Sequence, residues 1–124
     1  MKTKIKIGSL FAGVGGIELG FLSDERSEIS WAVEYDKYAQ TTYKENFNHP
    51  LIEEDIEKVK GSSLSNVDIL TAGFPCQAFS IGGYQKGFTD PRGNLFFEII
   101  RIINELSKRP KVLFLENVKN LRTH

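Results

Sequence analysis

Hydrophobic residues along this chain fall into short runs separated by amphipathic stretches, and the two alternate from one end to the other. Apolar positions alternate with lysine from Lys4 to Ile7 and lead into Gly8-Ser9-Leu10, which predicts a first strand bounded by a glycine loop. A short helix is expected from about Ile17 to Leu22. Ser30 to Glu34 reads as a second strand, and Asp36 then offers an N-cap side chain for a helix reaching about Phe47, with Pro50 just beyond. Leu51-Ile52 is a weak third strand leading to Glu54-Asp55-Ile56. Val67 to Ala72 is the fourth, and its Ile-Leu-Thr-Ala run predicts burial on both faces. An irregular segment follows, after which Asn94 is expected to cap the most strongly amphipathic helix. Leu95, Phe96, Ile99, Ile100, Ile103 and Leu106 make its apolar face, and Pro110 breaks it before a fifth strand, Val112 to Leu115. Such alternation predicts an α/β fold with a largely parallel sheet and right-handed crossovers.

Composition narrows this picture without identifying a ligand. A chain of 124 residues suits one domain and buries roughly two-thirds of the surface its unfolded form exposes. Sixteen basic residues balance sixteen acidic ones, so there is no overall field to draw in a polyanion and nucleic-acid binding cannot be inferred from charge. A single cysteine allows no internal disulfide and fits a reducing, cytoplasmic setting. Lys2 and Lys4 precede an apolar stretch as in a signal peptide, but Lys6 and Glu18 interrupt it, and no run approaches the ~20 apolar residues of a membrane span. A soluble protein with no membrane partner is expected. His49 and His124 stand alone and read as surface residues, so no metal site is expected. Trp31 reads as core packing.

The chemistry concentrates where strands end. Gly73-Phe74-Pro75-Cys76-Gln77-Ala78-Phe79-Ser80 places the lone cysteine just past the fourth strand, rigidified by the proline before it. A free thiol is only a few per cent thiolate at neutral pH, so a nucleophilic cysteine needs a prepared site. Three further segments stand at strand ends: Phe11-Ala12-Gly13-Val14-Gly15-Gly16, Glu34, and Glu116-Asn117-Val118. In an open α/β sheet ligands bind beyond the carboxyl ends of the strands, so these segments and Cys76 are expected to converge on one crevice.

With Phe-Ala-Gly-x-Gly-Gly, Gly-Phe-Pro-Cys-Gln and Glu-Asn-Val in this order, the chain resembles the DNA cytosine-5 methyltransferases, most of all the HhaI-type bacterial enzymes of restriction-modification systems. The stretch from Asp36-Lys37-Tyr38-Ala39-Gln40 through Asp90-x-Arg92-Gly93-x-Leu95-Phe96 is similar as well. The resemblance implies a Rossmann-like, S-adenosylmethionine-dependent methyltransferase fold, truncated here after its fifth strand. It also implies that residues 1–124 are the N-terminal part of the catalytic domain, without the target-recognition domain and C-terminal segment. Such a chain alone is expected to be inactive, and to need a complementary C-terminal segment or second polypeptide.

The glycine loop departs from the dinucleotide pattern G-x-G-x-x-G, because Glu18 stands where glycine or alanine belongs. S-adenosylmethionine has no phosphates, and its ribose diol suits an acidic acceptor such as Glu34, about twenty residues after the loop. Taken alone, the glycines also fit an ordinary strand-to-helix turn, Glu34 a solvated strand end, and Asp55 a helix N-cap. The resemblance implies that Phe11, Gly13, Gly15, Gly16 and Pro75 help hold the cofactor, with Phe11 near the adenine or sulfonium. It implies also that Glu34 chelates both ribose hydroxyls, Tyr35 stacks near the adenine, Asp55 and Ile56 meet its amino edge, and Leu95 lines the same pocket.

Carbon 5 of cytosine is a poor nucleophile, and addition of a thiolate at carbon 6 makes it an electron-rich enamine carbon; Cys76 suits that step. Glu116 is the candidate for stabilising charge at ring nitrogen 3 and the exocyclic amine. An ion pair with Lys119 is its alternative. The implied partner is double-stranded DNA with its cytosine flipped out of the stack. Gln77, Ser80, Lys86, Arg92, Asn117 and Val118 would face it, Lys86 and Arg92 from a glycine-rich loop suited to closing over the nucleotide. Enzymes that methylate exocyclic amines carry an Asp/Asn-Pro-Pro-Tyr type sequence here instead of Phe-Pro-Cys-Gln. Two other readings stay open: the same chemistry on transfer RNA, and a non-catalytic cofactor-binding or interaction module.

Overall fold

In a computed structural model, residues 3–73 and 94–116 are described. Five strands, β1 (Ile5–Leu10), β2 (Ser27–Val33), β3 (Leu51–Ile52), β4 (Ile69–Ala72) and β5 (Val112–Leu115), form one sheet in the order β3-β2-β1-β4-β5. Every pairing is parallel, as the alternating pattern predicts. The order turns back at β1 and β4, and a crevice opens at that switch beyond their carboxyl ends.

Side chains alternate across the sheet and build two unlike layers. Leu10, Trp31, Val33, Leu70 and Ala72 meet Ile99, Ile102 and Leu106 of helix α3 (Asn94–Glu105 and the turn after it), together with Ile56 and Val59 of the preceding 3-10 turn, Ile56–Lys58. Trp31 is core, as its sequence context indicates, and its indole N–H donates to the Ser65 carbonyl at 3.0 Å. On the other face lie α1 (Gly16–Leu22) and α2 (Lys37–Asn46), where Tyr43 and Phe47 pack on Ala32. That face carries the buried polar groups Ser9, Glu18 and Gln40.

Several local expectations shift. β2 begins three residues before Ser30, because its first half pairs with β1 through a bulge that sets Gly8 beside Trp31. A Cβ on Gly8 would stand 2.4 Å from the indole. Asn94 is the first residue of α3 rather than its cap. The buried stripe of α3 runs through Ile99, Ile102 and Leu106, with Leu95 partly buried beside it, while Ile100 is exposed. Ile102 was not on the expected face; at 3.6 residues per turn the spacing 95, 99, 102, 106 is the straighter line.

A second 3-10 turn (Gly61–Ser63) ties α3 to the loop that walls the crevice. Arg101 donates to the carbonyls of Ile56 and Val59, both at 2.8 Å, and Glu105 accepts from the Gly61 N–H at 2.7 Å. A Cβ on Gly61 would lie 2.7 Å from the Ile102 carbonyl oxygen, a backbone atom that cannot rotate away. Gly61→Ala is therefore expected to destabilise the fold by about 1–3 kcal/mol in urea denaturation; a change within error would mean that the turn can separate from α3 at little cost.

Along β5, Val112, Leu113, Phe114 and Leu115 are each at least 39% exposed. Among the described residues β5 pairs only with β4, and its one aromatic partner is Phe21 of α1, edge-on to Phe114. No helix among the described residues is long and apolar enough to cross a membrane.

Candidate active site

The loop between β1 and α1 turns through three left-handed residues. Phe11 has φ 53°, Gly13 φ 61° and Gly15 φ 95°, and Phe11 is the only non-glycine with positive φ among the described residues. Such a conformation costs a bulky residue on the order of 1 kcal/mol, so the surrounding structure must hold it. The Ala12 N–H donates to the Val33 carbonyl at 3.0 Å, and the Gly13 N–H to Glu34 Oε1 at 2.7 Å. Gly15 caps α1 and leaves no room for a side chain, since a Cβ there would stand 2.2 Å from the Phe47 ring.

Glu34 is fixed from three sides. Its second oxygen accepts from the Asp36 N–H at 2.8 Å, its backbone N–H donates to the Ile52 carbonyl, and its own carbonyl accepts from Gln40 Nε2 at 2.7 Å. Asp36 caps α2 as expected, accepting from the Ala39 N–H at 2.9 Å. Each carboxylate oxygen thus has one backbone donor and one lone pair left. That arrangement holds the carboxylate plane in place and leaves both oxygens able to accept from adjacent hydroxyls.

Around it opens a cavity of about 460 Å³, within the range of small-molecule sites. Of the expected cofactor residues, Phe11, Gly13, Glu34, Tyr35, Asp55, Ile56 and Leu95 line it. Gly15 and Gly16 do not: they shape the turn and start α1. Val33, Asp36, Glu54 and Gly73 line it as well, without having been expected among the cofactor residues. The signal for Asp36 and Glu54 was position, since each neighbours a strand end. Asp55 does what its local sequence suggests, capping the 3-10 turn by accepting from the Glu57 N–H at 3.0 Å, and faces the cavity as well. Among the described residues, Glu34, Asp36, Glu54 and Asp55 bring four acidic residues to the lining, and no lysine or arginine lines it. Apolar walls with an acidic rim suit a nucleoside that carries positive charge and disfavour one that carries phosphate.

Glu116 follows β5, its N–H donating to the Ala72 carbonyl at 3.0 Å. Its Oε2 lies 3.3 Å from where a Cβ on Gly73 would be, so the carboxyl group faces the strand end that leads to Cys76. Pro75, Cys76, Gln77, Ser80, Lys86, Arg92, Asn117 and Val118 lie outside the described residues. No cluster of potential metal ligands occurs among the described residues.

His49 is not the surface residue its isolation suggests. Its Nε2 is hydrogen-bonded to the Tyr43 hydroxyl, its ring packs against Tyr43 and Phe47, and burial pushes its pKa down. Glu18 lies deeper than the half-buried His49, at 1% exposed, and burial pushes its carboxyl pKa up from 4.5. The folded chain then keeps a proton that the unfolded chain releases, so this group's stability contribution is complete below about pH 4.5 and is lost as pH rises through the folded pKa. Glu18→Gln is expected to gain thermal stability relative to the parent chain at about pH 8, with a smaller gain at about pH 5. Equal differences at both pH values would show that Glu18 does not titrate abnormally.

A family model described as C-5 cytosine-specific DNA methylase matches residues 5–124. Type II methyltransferase M.Bsp6I from Bacillus sp. (strain RFL6) is 52% identical over 121 residues, covering 97% of this chain and 38% of that protein. Type II methyltransferase M.HhaI from Haemophilus parahaemolyticus is 51% identical over 122 residues, covering 98% of this chain and 36% of that protein. The chain thus spans less than two-fifths of the length of these relatives. Among solved structures, S. pombe Dnmt2 methyltransferase superposes with a TM-score of 0.77 at 18% identity, over 97% of this chain and 36% of that one. A DNMT2 variant from Spodoptera frugiperda gives 0.74 at 30% identity, over 98% and 38%. With a family match across nearly its whole length, the chain belongs to the C-5 cytosine-specific DNA methylases.

Proposed function

We propose that this chain supplies the cofactor cavity and reacting groups of an enzyme that methylates carbon 5 of cytosine in DNA, with S-adenosylmethionine as donor. The observation that carries this reading is the acidic-rimmed apolar cavity built round Glu34 at the carboxyl ends of the strands. Glu34 would accept from both ribose hydroxyls, Phe11, Ile56 and Leu95 would enclose the adenine, and Asp55 would meet its amino group. The carboxyl-rich lining favours a ligand bearing sulfonium and ammonium charges. When bound, S-adenosylmethionine supplies an electrophilic methyl group.

The chain's own residues would prepare the base. Cys76 adds as thiolate to carbon 6 of the flipped cytosine, which moves electron density to carbon 5. Glu116 hydrogen-bonds ring nitrogen 3 and the exocyclic amine, stabilising charge that develops there. The approach of its carboxyl group to Gly73, three residues before Cys76, supports the pairing of these roles. Once carbon 5 is methylated, loss of its proton and departure of sulfur from carbon 6 restore the aromatic ring and the thiolate. Gln77, Ser80, Lys86, Arg92, Asn117 and Val118 would contact the DNA. The exposed apolar β5 supports a further requirement, that additional polypeptide packs beside it, in the same chain or a second one.

Titration calorimetry is expected to show one saturable S-adenosylmethionine site on this chain. An absence of both binding heat and thermal protection would reject the cavity assignment. Transfer of labelled methyl groups to duplex cytosine is expected only after addition of a C-terminal segment from a relative; transfer by the 124-residue monomer alone would reject the requirement for it.

A further inference from the structure

The face of the sheet that carries α1 and α2 holds a buried polar line which the proposed chemistry does not use. Glu18, in the first turn of α1, has both carboxyl oxygens inaccessible and without a partner in hydrogen-bond geometry. The polar groups facing it are the Tyr43 hydroxyl from α2 and the Ser9 hydroxyl from β1, while the Glu34 carboxylate at the end of β2 acts on it through its charge. Beyond Tyr43 stands His49, whose Nε2 bonds the same hydroxyl. Three residues before Tyr43, Gln40 donates to the Glu34 and Tyr35 carbonyls at 2.7 and 3.1 Å. The glycine loop immediately before α1 supplies the Gly13 N–H to the Glu34 carboxylate. Glu18 thus lies between the two supports of the residue on which the cofactor reading rests.

A tyrosine hydroxyl has one proton to give. If it goes to Nε2 of a neutral His49, Tyr43 turns a lone pair toward Glu18 and the Ser9 hydroxyl is the one side-chain donor left for its two oxygens. An ionised carboxylate would then hold a buried charge with one oxygen undonated, which is costly. A neutral carboxyl instead donates to Tyr43 and accepts from Ser9. We propose that Glu18 is a positioning residue for the cofactor cavity: its neutral carboxyl donates to Tyr43, Tyr43 donates to His49, and the line locks α2, and through Gln40 the Glu34 carboxylate, against the glycine loop. The inference rests on the cofactor reading above and assigns Glu18 no contact with the ligand.

The protonation pattern can be tested without ligand. The infrared spectrum should contain a protonated-carboxyl C=O band at neutral pH that is missing from Glu18→Gln, and nitrogen NMR should find His49 protonated on Nδ1. An ionised Glu18 with His49 protonated on Nε2 would overturn the proposal. The positioning role is read from the Gly13 and Asp36 amide resonances, because both N–H groups bond Glu34. Tyr43→Phe, which keeps the ring and removes the hydroxyl, should shift both; unmoved resonances would overturn the proposal. With S-adenosylmethionine as the probe, Tyr43→Phe should bind about five- to tenfold more weakly. The parent chain should lose affinity as pH rises through the Glu18 titration, and Glu18→Gln, whose amide can still donate to Tyr43, should bind with a flat pH profile. Parallel profiles would assign Glu18 a merely structural role. A parent chain that binds no cofactor would count against the cofactor reading, while the two spectroscopic measurements still decide the line.

Discussion

Cys76→Ala is expected to abolish methyl transfer by the chain combined with a complementing C-terminal segment, lowering the rate by at least about a thousandfold. Without the thiolate, carbon 5 has no route to nucleophilic character, and no neighbouring group in the Phe-Pro-Cys-Gln sequence can replace sulfur at carbon 6. The same substitution should leave S-adenosylmethionine affinity unchanged, because the cofactor reading assigns binding to the residues gathered round Glu34 and gives the Cys76 thiol no part in it. Capture of duplex DNA containing 5-fluorocytosine gives the second readout: that base cannot release its carbon 5 substituent as a proton, so a covalent complex accumulates. Adducts that persist in Cys76→Ala would sink the assignment.

Glu34→Ala should weaken S-adenosylmethionine binding by about 1.5–3 kcal/mol, roughly tenfold to more than a hundredfold. Two losses combine in that figure. The ligand loses an acceptor for its ribose hydroxyls, and the Gly13 and Asp36 N–H groups lose the carboxylate that organises them. Glu34→Gln separates the terms, since the amide keeps one acceptor oxygen but turns the other position into a donor. An intermediate affinity is expected. If Glu34→Ala binds as tightly as the parent chain in calorimetry, Glu34 serves only the strand end and the cofactor reading fails with it.

How far such features could be read in advance depends on the range of the interactions behind them. The parallel sheet follows from alternating apolar runs, and the Asp36 cap from one side chain beside its own helix. The convergence of Phe11 and Glu34 on one cavity follows from strand-end positions once the sheet is parallel, whereas Asp55 and Leu95 were expected there from the family resemblance. His49 was misjudged, and the burial of Glu18 went unforeseen, for the opposite reason. Glu18 reads locally as a polar interruption and His49 as a stray surface histidine, yet Tyr43 joins one to the other's neighbourhood through packing between α1, α2 and the loop after α2. Ile102 was missed on a narrower ground: in a helix with isoleucine at 99, 100, 102 and 103, composition alone does not choose the buried line.

The central place of β1 also constrains how the molecule assembles. Parallel neighbours cannot be joined by a tight hairpin, and the Lys6 N–H meets the Asp68 carboxylate across 62 residues of chain. Closing so long a loop precedes the reward of the β1–β4 pairing, which makes that pairing a slow step in folding. During synthesis β1, β2 and β3 emerge first, carrying the glycine loop, Glu34 and the Asp55 turn, but Gly73 and Leu95 complete the cavity only after β4 and α3 have followed. A ligand of this cavity therefore has nothing complete to bind on the nascent first half. It can stabilise the finished sheet by mass action, but it cannot template the early strands.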